Sequence, residues 1–173
     1  ITIATLLKDA GYNTTMSGKW HLGYANPSLL PINRGFKQTV TMPFSGGDNW
    51  TQQSYVPHYD KTLWLENGKE ISVPEGFYSS KFIVDKAIQQ LENNQKNHER
   101  KRKPFFSYVS FQAVHIPLQT PKEFTEKYIG GYREGWHALR KNRQNAVKDL
   151  GLIPASAPMN RMETTDHWDN LSE

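Results

Sequence analysis

The 173-residue chain has no cysteine. That excludes a disulfide scaffold, a cysteine-ligated metal and a cysteine nucleophile within these residues. No stretch approaches the roughly 18 consecutive apolar residues that a membrane-spanning helix needs. The six histidines form no His-x-x-x-His pair or other short ligand spacing, so no metal site is expected in this chain. Neither a Walker A loop nor Gly-x-Gly-x-x-Gly occurs. No carboxylate pair stands near the candidate motifs below, which argues against the two-acid chemistry of glycosidases. Excess charge is also scarce: 21 Lys plus Arg against 17 Asp plus Glu leave +4. The basic run 96–103, and the set Arg133, Arg140, Lys141, Arg143 and Lys148, read as a solvated turn and a solvated helix face. No aromatics interleave the run as a single-strand binder requires, so no nucleic-acid partner is expected.

Aromatic residues, by contrast, are plentiful. Five Trp, eight Tyr and eight Phe argue for a folded core rather than disorder. The chain begins with Ile1 rather than Met, and its first ten residues already read as an element in progress. It is therefore expected to be a piece of a longer protein.

The pattern predicts an α/β fold. Residues 2–10 read as a short helix capped by Thr2, with Ile3, Leu6 and Leu7 on one face and Gly11 closing it. Tyr12 to Ser17 reads as a strand that ends in Gly18-Lys19-Trp20-His21-Leu22-Gly23. Residues 24–60, with four prolines and Gly46-Gly47, read as a long loop of the kind that wraps a site. Residues 62–72 predict a hairpin turning at Asn67-Gly68. Phe82, Ile83, Ala87, Ile88 and Leu91 recur at helical spacing and predict a helix over 78–95. Residues 104–111 lack clean alternation, which suits a strand buried on both faces of a parallel sheet. Helices are expected over 121–128 and 133–150, followed by a polar tail.

Two strand ends deliver groups that bind anions. Lys19 and His21 are two apart, so on an extended segment both face one way. His115 follows the second strand, where ligands of open α/β sheets bind. A lysine and two histidines converging on a point would hold a tetrahedral oxyanion: the ammonium supplies charge, and an imidazole supplies a hydrogen bond or a proton to a leaving alkoxide. Sulfate or phosphate monoester chemistry fits. A turn lysine and ordinary loop histidines are the alternative.

These segments resemble the type I sulfatases, the arylsulfatase-like members of the alkaline phosphatase superfamily. The resemblance rests on residues 2–12 followed by Gly18-Lys19-Trp20-His21-Leu22-Gly23, on Asn33-Arg34-Gly35-Phe36, and on residues 105–117 ending in His115-Ile116-Pro117. The stretch from Tyr128 to Pro154 is similar to bacterial arylsulfatases. The resemblance implies a partial catalytic domain over 1–173, with part of a mostly parallel sheet covered by helices. It implies that Lys19 and His115 bind sulfate, that His115 can protonate the leaving alcohol, and that His21 hydrogen-bonds a catalytic formylglycine. It also implies calcium, a sulfate ester substrate, a formylglycine-generating or anaerobic maturating enzyme, and a periplasmic, secreted or lysosomal location.

This sequence departs from the family where the nucleophile is concerned. The family makes its formylglycine from Cys or Ser in Cys/Ser-x-Pro-x-Arg, upstream of the lysine motif. Ser156-Ala157-Pro158-Met159-Asn160-Arg161 has one residue too many, and Ser72-Val73-Pro74-Glu75-Gly76 lacks the arginine. Asp169-Asn170 follows Trp168 and precedes Leu171-Ser172, so it matches a segment before the calcium motif rather than the motif itself. The chain is thus expected to hold one wall of a site, without nucleophile or metal, and to be inactive alone. A phosphodiesterase or phosphonate hydrolase of the same superfamily, and a noncatalytic anion-binding relic, are the alternatives.

Overall fold

The computed structural model describes residues 1–96, 103–160, 168 and 171. Residues 97–102 of the basic run, Arg161 and the Asp169-Asn170 pair lie outside the described residues. The chain comprises two compact units, Ile1–Gln119 and Thr120–Glu173.

The first unit is built on a five-stranded sheet. Helix α1 (Ile3–Asp9) leads into β1 (Asn13–Lys19), and β2 spans Gln38–Met42. The hairpin strands are β3 (Trp64–Glu66) and β4 (Lys69–Ile71), then come α2 (Ser79–Lys96) and β5 (Phe105–Ser110). The sheet order is β4-β3-β2-β1-β5. Both neighbours of β1 run parallel to it, while β3 is antiparallel to β2 and to β4. The carboxyl ends of β1, β2 and β5 therefore lie on one edge of the sheet.

Helices cover both faces. Side chains alternate along a strand, so Met16 and Ser17 point opposite ways. Met16 packs with Ala4 of α1, Trp20 and Phe36. The Ser17 hydroxyl donates to the Ile83 carbonyl of α2, 2.7 Å away. On that second face Trp64 meets Phe77 and Phe82 edge-on, beside Val40, Met42 and Ile83. Truncating a fully buried tryptophan such as Trp64 would cost about 3–5 kcal/mol.

Three elements differ from the sequence expectation. Residues 38–42, read as loop, form the central strand β2. Its Thr39 and Thr41 are buried and β-branched, and the flanking prolines mask this strand character. In α1 the expected apolar face is turned outward: Ile3 and Leu6 are exposed, and Ala4 is buried. Gly35 accounts for this, because a Cβ there would stand 2.3 Å from the Thr5 nitrogen. The glycine backbone thus seats the small-residue face of α1. Strand β5, expected to be buried on both faces, lies at the sheet edge with Phe105, Tyr108 and Val109 exposed.

In α2 the inward stripe is also more polar than expected. Ile88 is exposed, and Gln90 and Asn94 are buried instead. The Gln90 amide donates to the Met16 carbonyl at 3.2 Å, so the helix meets backbone acceptors of the sheet there. The hairpin turns where expected, with Asn67 and Gly68 both at positive φ, as a tight two-residue turn requires.

The second unit contains α3 (Lys122–Thr125), a short 3-10 turn over Glu126–Tyr128, and α4 (Gly135–Asp149). Trp136 meets Trp168 edge-on, and the Gln144 amide donates to the Ala157 carbonyl at 3.1 Å.

Candidate functional site

The edge formed by the carboxyl ends of the three parallel strands carries the candidate residues Lys19 and His115. Lys19 is the last residue of β1. Ser45 comes three residues after β2, and His115 five residues after β5. The Lys19 Nζ donates to Ser45 Oγ at 2.9 Å. Ser45 Oγ lies 3.1 Å from His115 Nε2. His115 Nδ1 lies 2.7 Å from the Ile116 carbonyl oxygen, which can only accept. The proton of the neutral ring therefore sits on Nδ1, and Nε2 accepts from the serine hydroxyl. The chain of donors runs in one direction, from ammonium to hydroxyl to imidazole. Partial burial lowers the pKa of Lys19 from the usual lysine value, since a partly desolvated ammonium lacks its full shell of water.

Gly18 explains how Lys19 is placed. It has φ +114, and a Cβ there would lie 1.8 Å from the Ser110 carbonyl oxygen. Only a bare backbone lets β1 approach β5 this closely. The Ser110 hydroxyl then donates to the Lys19 carbonyl at 2.6 Å, which fixes the end of the strand.

Sequence spacing named Lys19, His21 and His115. The structure brings Lys19 and His115 onto one hydroxyl. His21 is placed differently from the extended reading. The strand stops at Lys19, and His21 adopts φ 55, a left-handed turn that breaks the alternation. Its backbone N–H donates to the Pro43 carbonyl at 3.1 Å, and its ring makes no hydrogen bond among the described residues. Ser45 was missed because β2 was missed: a lone serine becomes conspicuous only once the strand before it is recognised.

The loop after Ser45 is densely bonded. Asp48 accepts from the backbone N–H groups of Trp50 and Thr51, from the Thr51 hydroxyl and from Gln119 Nε2. Burial pushes its carboxyl pKa up, but the Gln119 amide and the Trp50 and Thr51 donors outweigh this and hold it below the ordinary value. Asn49 is 2% exposed and its side chain bonds Ser79 and Gln112. Asn49-Trp50-Thr51 and Asn13-Thr14-Thr15 are glycosylation-type sequons, and burial closes both asparagines to glycosylation in the folded protein.

With this geometry in hand, known proteins supply the frame. The family model described as Sulfatase matches residues 2–165. This chain belongs to the sulfatase family. It is 41% identical over 177 residues to an uncharacterized sulfatase of Schizosaccharomyces pombe, covering 96% of this chain and 31% of that protein. It is 33% identical over 175 residues to an arylsulfatase of Klebsiella aerogenes, covering 99% and 36%. The sulfatase chain thus spans about a third of the length of the curated relatives it matches. Among solved structures, Ps i-CgsB in complex with k-i-k-neocarrahexaose superposes with TM-score 0.58 at 28% identity, covering 73% of this chain and 29% of the other. A structure holding its substrate D-glucosamine-2-N,6-O-disulfate superposes with TM-score 0.54 at 28% identity, covering 76% and 22%.

No group of three or more His, Cys, Asp or Glu is placed to hold a metal among the described residues. No helix among the described residues is long and apolar enough to cross a membrane.

Proposed function

We propose that this chain forms the sulfate-binding wall of an enzyme that hydrolyses sulfate esters to an alcohol and inorganic sulfate. The observation that carries this is the Ser45 hydroxyl, bonded to both Lys19 and His115 at the carboxyl edge of three parallel strands. Lys19, in its ammonium form, would neutralise an oxygen of the bound sulfate, an attraction that water screens less at a partly buried position. His115, when protonated on both nitrogens, would give its Nε2 proton to the alcohol oxygen as the S–O bond breaks and the electron pair moves to that oxygen. The ring then returns to the neutral form with Nδ1–H bonded to the Ile116 carbonyl. Ser45 holds the imidazole edge and the ammonium at one point. His21 is assigned by resemblance to a hydrogen bond with the formylglycine.

By the family resemblance, formylglycine would supply the nucleophile and calcium would supply charge neutralisation. A formylglycine-generating or anaerobic maturating enzyme serves as partner, and the site of action is periplasmic, secreted or lysosomal. The 173-residue chain alone turns over no ester.

The test is to express the complete reading frame that carries this segment and measure hydrolysis of 4-nitrophenyl sulfate beside 4-nitrophenyl phosphate. Lys19→Ala and His115→Ala are each expected to lower kcat/KM by about 10²–10⁴-fold. Variants that retain full sulfate turnover, or a parent that prefers the phosphate ester, would refute the assignment.

A further inference from the structure

The loop that carries His115 has almost no packing of its own. Val114 is 88% exposed, Ile116 67% and Leu118 78%. Apolar burial therefore cannot fix where His115 stands. Two glutamines, seven residues apart, bracket this loop instead.

Gln112 is 3% exposed. Its Oε1 accepts from the Gly47 N–H at 3.1 Å, and its Nε2 donates to the Gly47 carbonyl at 2.6 Å and to Asn49 Oδ1 at 3.1 Å. Its own carbonyl accepts from the His115 N–H at 2.9 Å. Gln119 repeats the pattern at the other end. Its Oε1 accepts from the Asn49 N–H at 2.9 Å, and its Nε2 donates to Asp48 Oδ2 at 2.6 Å. Both side chains thus fasten the His115 loop to residues 47–49, the segment that begins two residues after Ser45. Buried amides satisfied on both their donor and acceptor ends fix geometry strongly, because any slip leaves polar groups unpaired.

We propose that Gln112 and Gln119 are positioning residues for the sulfate site, stapling the His115 loop to the Ser45 loop and so setting the Ser45–His115 contact. Neither side chain hydrogen-bonds Lys19, Ser45 or His115; only the Gln112 backbone carbonyl does, through the His115 N–H. The proposal rests on the reading of Lys19, Ser45 and His115 as that site.

The test uses the 173-residue chain, two readouts, three single variants and one double variant. Gln112→Met keeps the length and removes both polar ends. Gln119→Met does the same at the less buried staple, and serves if the first variant folds poorly. Ile83→Val loses core packing away from the site and controls for simple destabilisation. The first readout is the imidazole tautomer of His115 by long-range nitrogen–proton NMR. The wild type is expected to hold the Nδ1–H form. Either glutamine variant is expected to release it to the mixture of a free ring, and Ile83→Val to leave it unchanged. The second readout is affinity for inorganic sulfate, expected to fall about tenfold in the glutamine variants. In the Gln112→Met background, Ser45→Ala is expected to cost nothing further, since the contact is already lost. A glutamine variant that unfolds more easily yet keeps the wild-type tautomer would overturn the proposal. A wild type that holds the tautomer but binds no sulfate would overturn the functional reading and leave the staples standing.

Discussion

Replacing Gly18 by alanine tests the close approach that places Lys19. Two effects add. The backbone at φ +114 is unfavourable for an L-residue, which costs about 1–2 kcal/mol. The new Cβ also stands 1.8 Å from the Ser110 carbonyl oxygen, and contacts under 3.0 Å essentially never occur. Clearing it needs β1 and β5 to part by roughly 3.0 − 1.8 = 1.2 Å. That strains the parallel ladder from Asn13 to Gly18 and breaks the Ser110-to-Lys19 bond. Two or three such bonds at about 1 kcal/mol each give an excess of roughly 2–3 kcal/mol over the conformational penalty. Gly11→Ala isolates that excess: Gly11 has φ +92, but a Cβ there meets nothing within 4 Å. Urea unfolding followed by far-UV circular dichroism should put Gly18→Ala about 2–3 kcal/mol below Gly11→Ala, or about 5–10 °C lower in Tm. Sulfate binding should be lost with it. Two variants within about 0.5 kcal/mol of each other would refute the reasoning, because the clash would then be relieved without cost.

Further outcomes follow from other contacts. Ser45→Ala removes the shared hydroxyl, so sulfate affinity by titration calorimetry should fall about tenfold while the urea midpoint moves little; an unchanged affinity would remove Ser45 from the site. The carboxyl of Asp48 titrates below its ordinary value in the fold, so its stabilisation is present above the unfolded pKa and is lost as pH falls through the folded one. The urea midpoint should therefore drop more from pH 6 to about pH 3 in the wild type than in Asp48→Asn, and equal drops would show that the carboxylate does not matter. Expressed through a glycosylating secretory route, the folded chain should carry no glycan at Asn49, as read by peptide mass spectrometry; full occupancy there would contradict its burial against Ser79 and Gln112.

The features legible in the sequence are those with local causes. Thr2 accepts from the Thr5 N–H as the N-cap of α1, and Asn67-Gly68 turns the hairpin. What was not legible depends on long-range fit. Strand β2 carries Gln38, Thr39 and Thr41 where a reader of hydropathy expects apolar residues, and its two threonines are buried. With β2 unseen, Ser45 had no strand end to sit on. The inward turn of Gln90 and Asn94 in α2 answers backbone acceptors such as the Met16 carbonyl, which the period of the helix does not reveal. The extended spacing that joined Lys19 to His21 ends one residue too soon, at the left-handed turn of His21.

The sheet order also dictates a sequence of events during synthesis. Strand β1 needs a neighbour on each side, and they emerge far apart: β2 begins 19 residues after β1 ends, whereas β5 begins 86 residues after it. Lys19 and Ser45, 26 positions apart, can meet as soon as β1 and β2 pair. His115 must return across 70 positions to reach the same hydroxyl. While the chain is still being made, the ammonium and the serine stand together on a half-built sheet. The imidazole joins them only when β5 docks on β1, so its arrival reports that pairing.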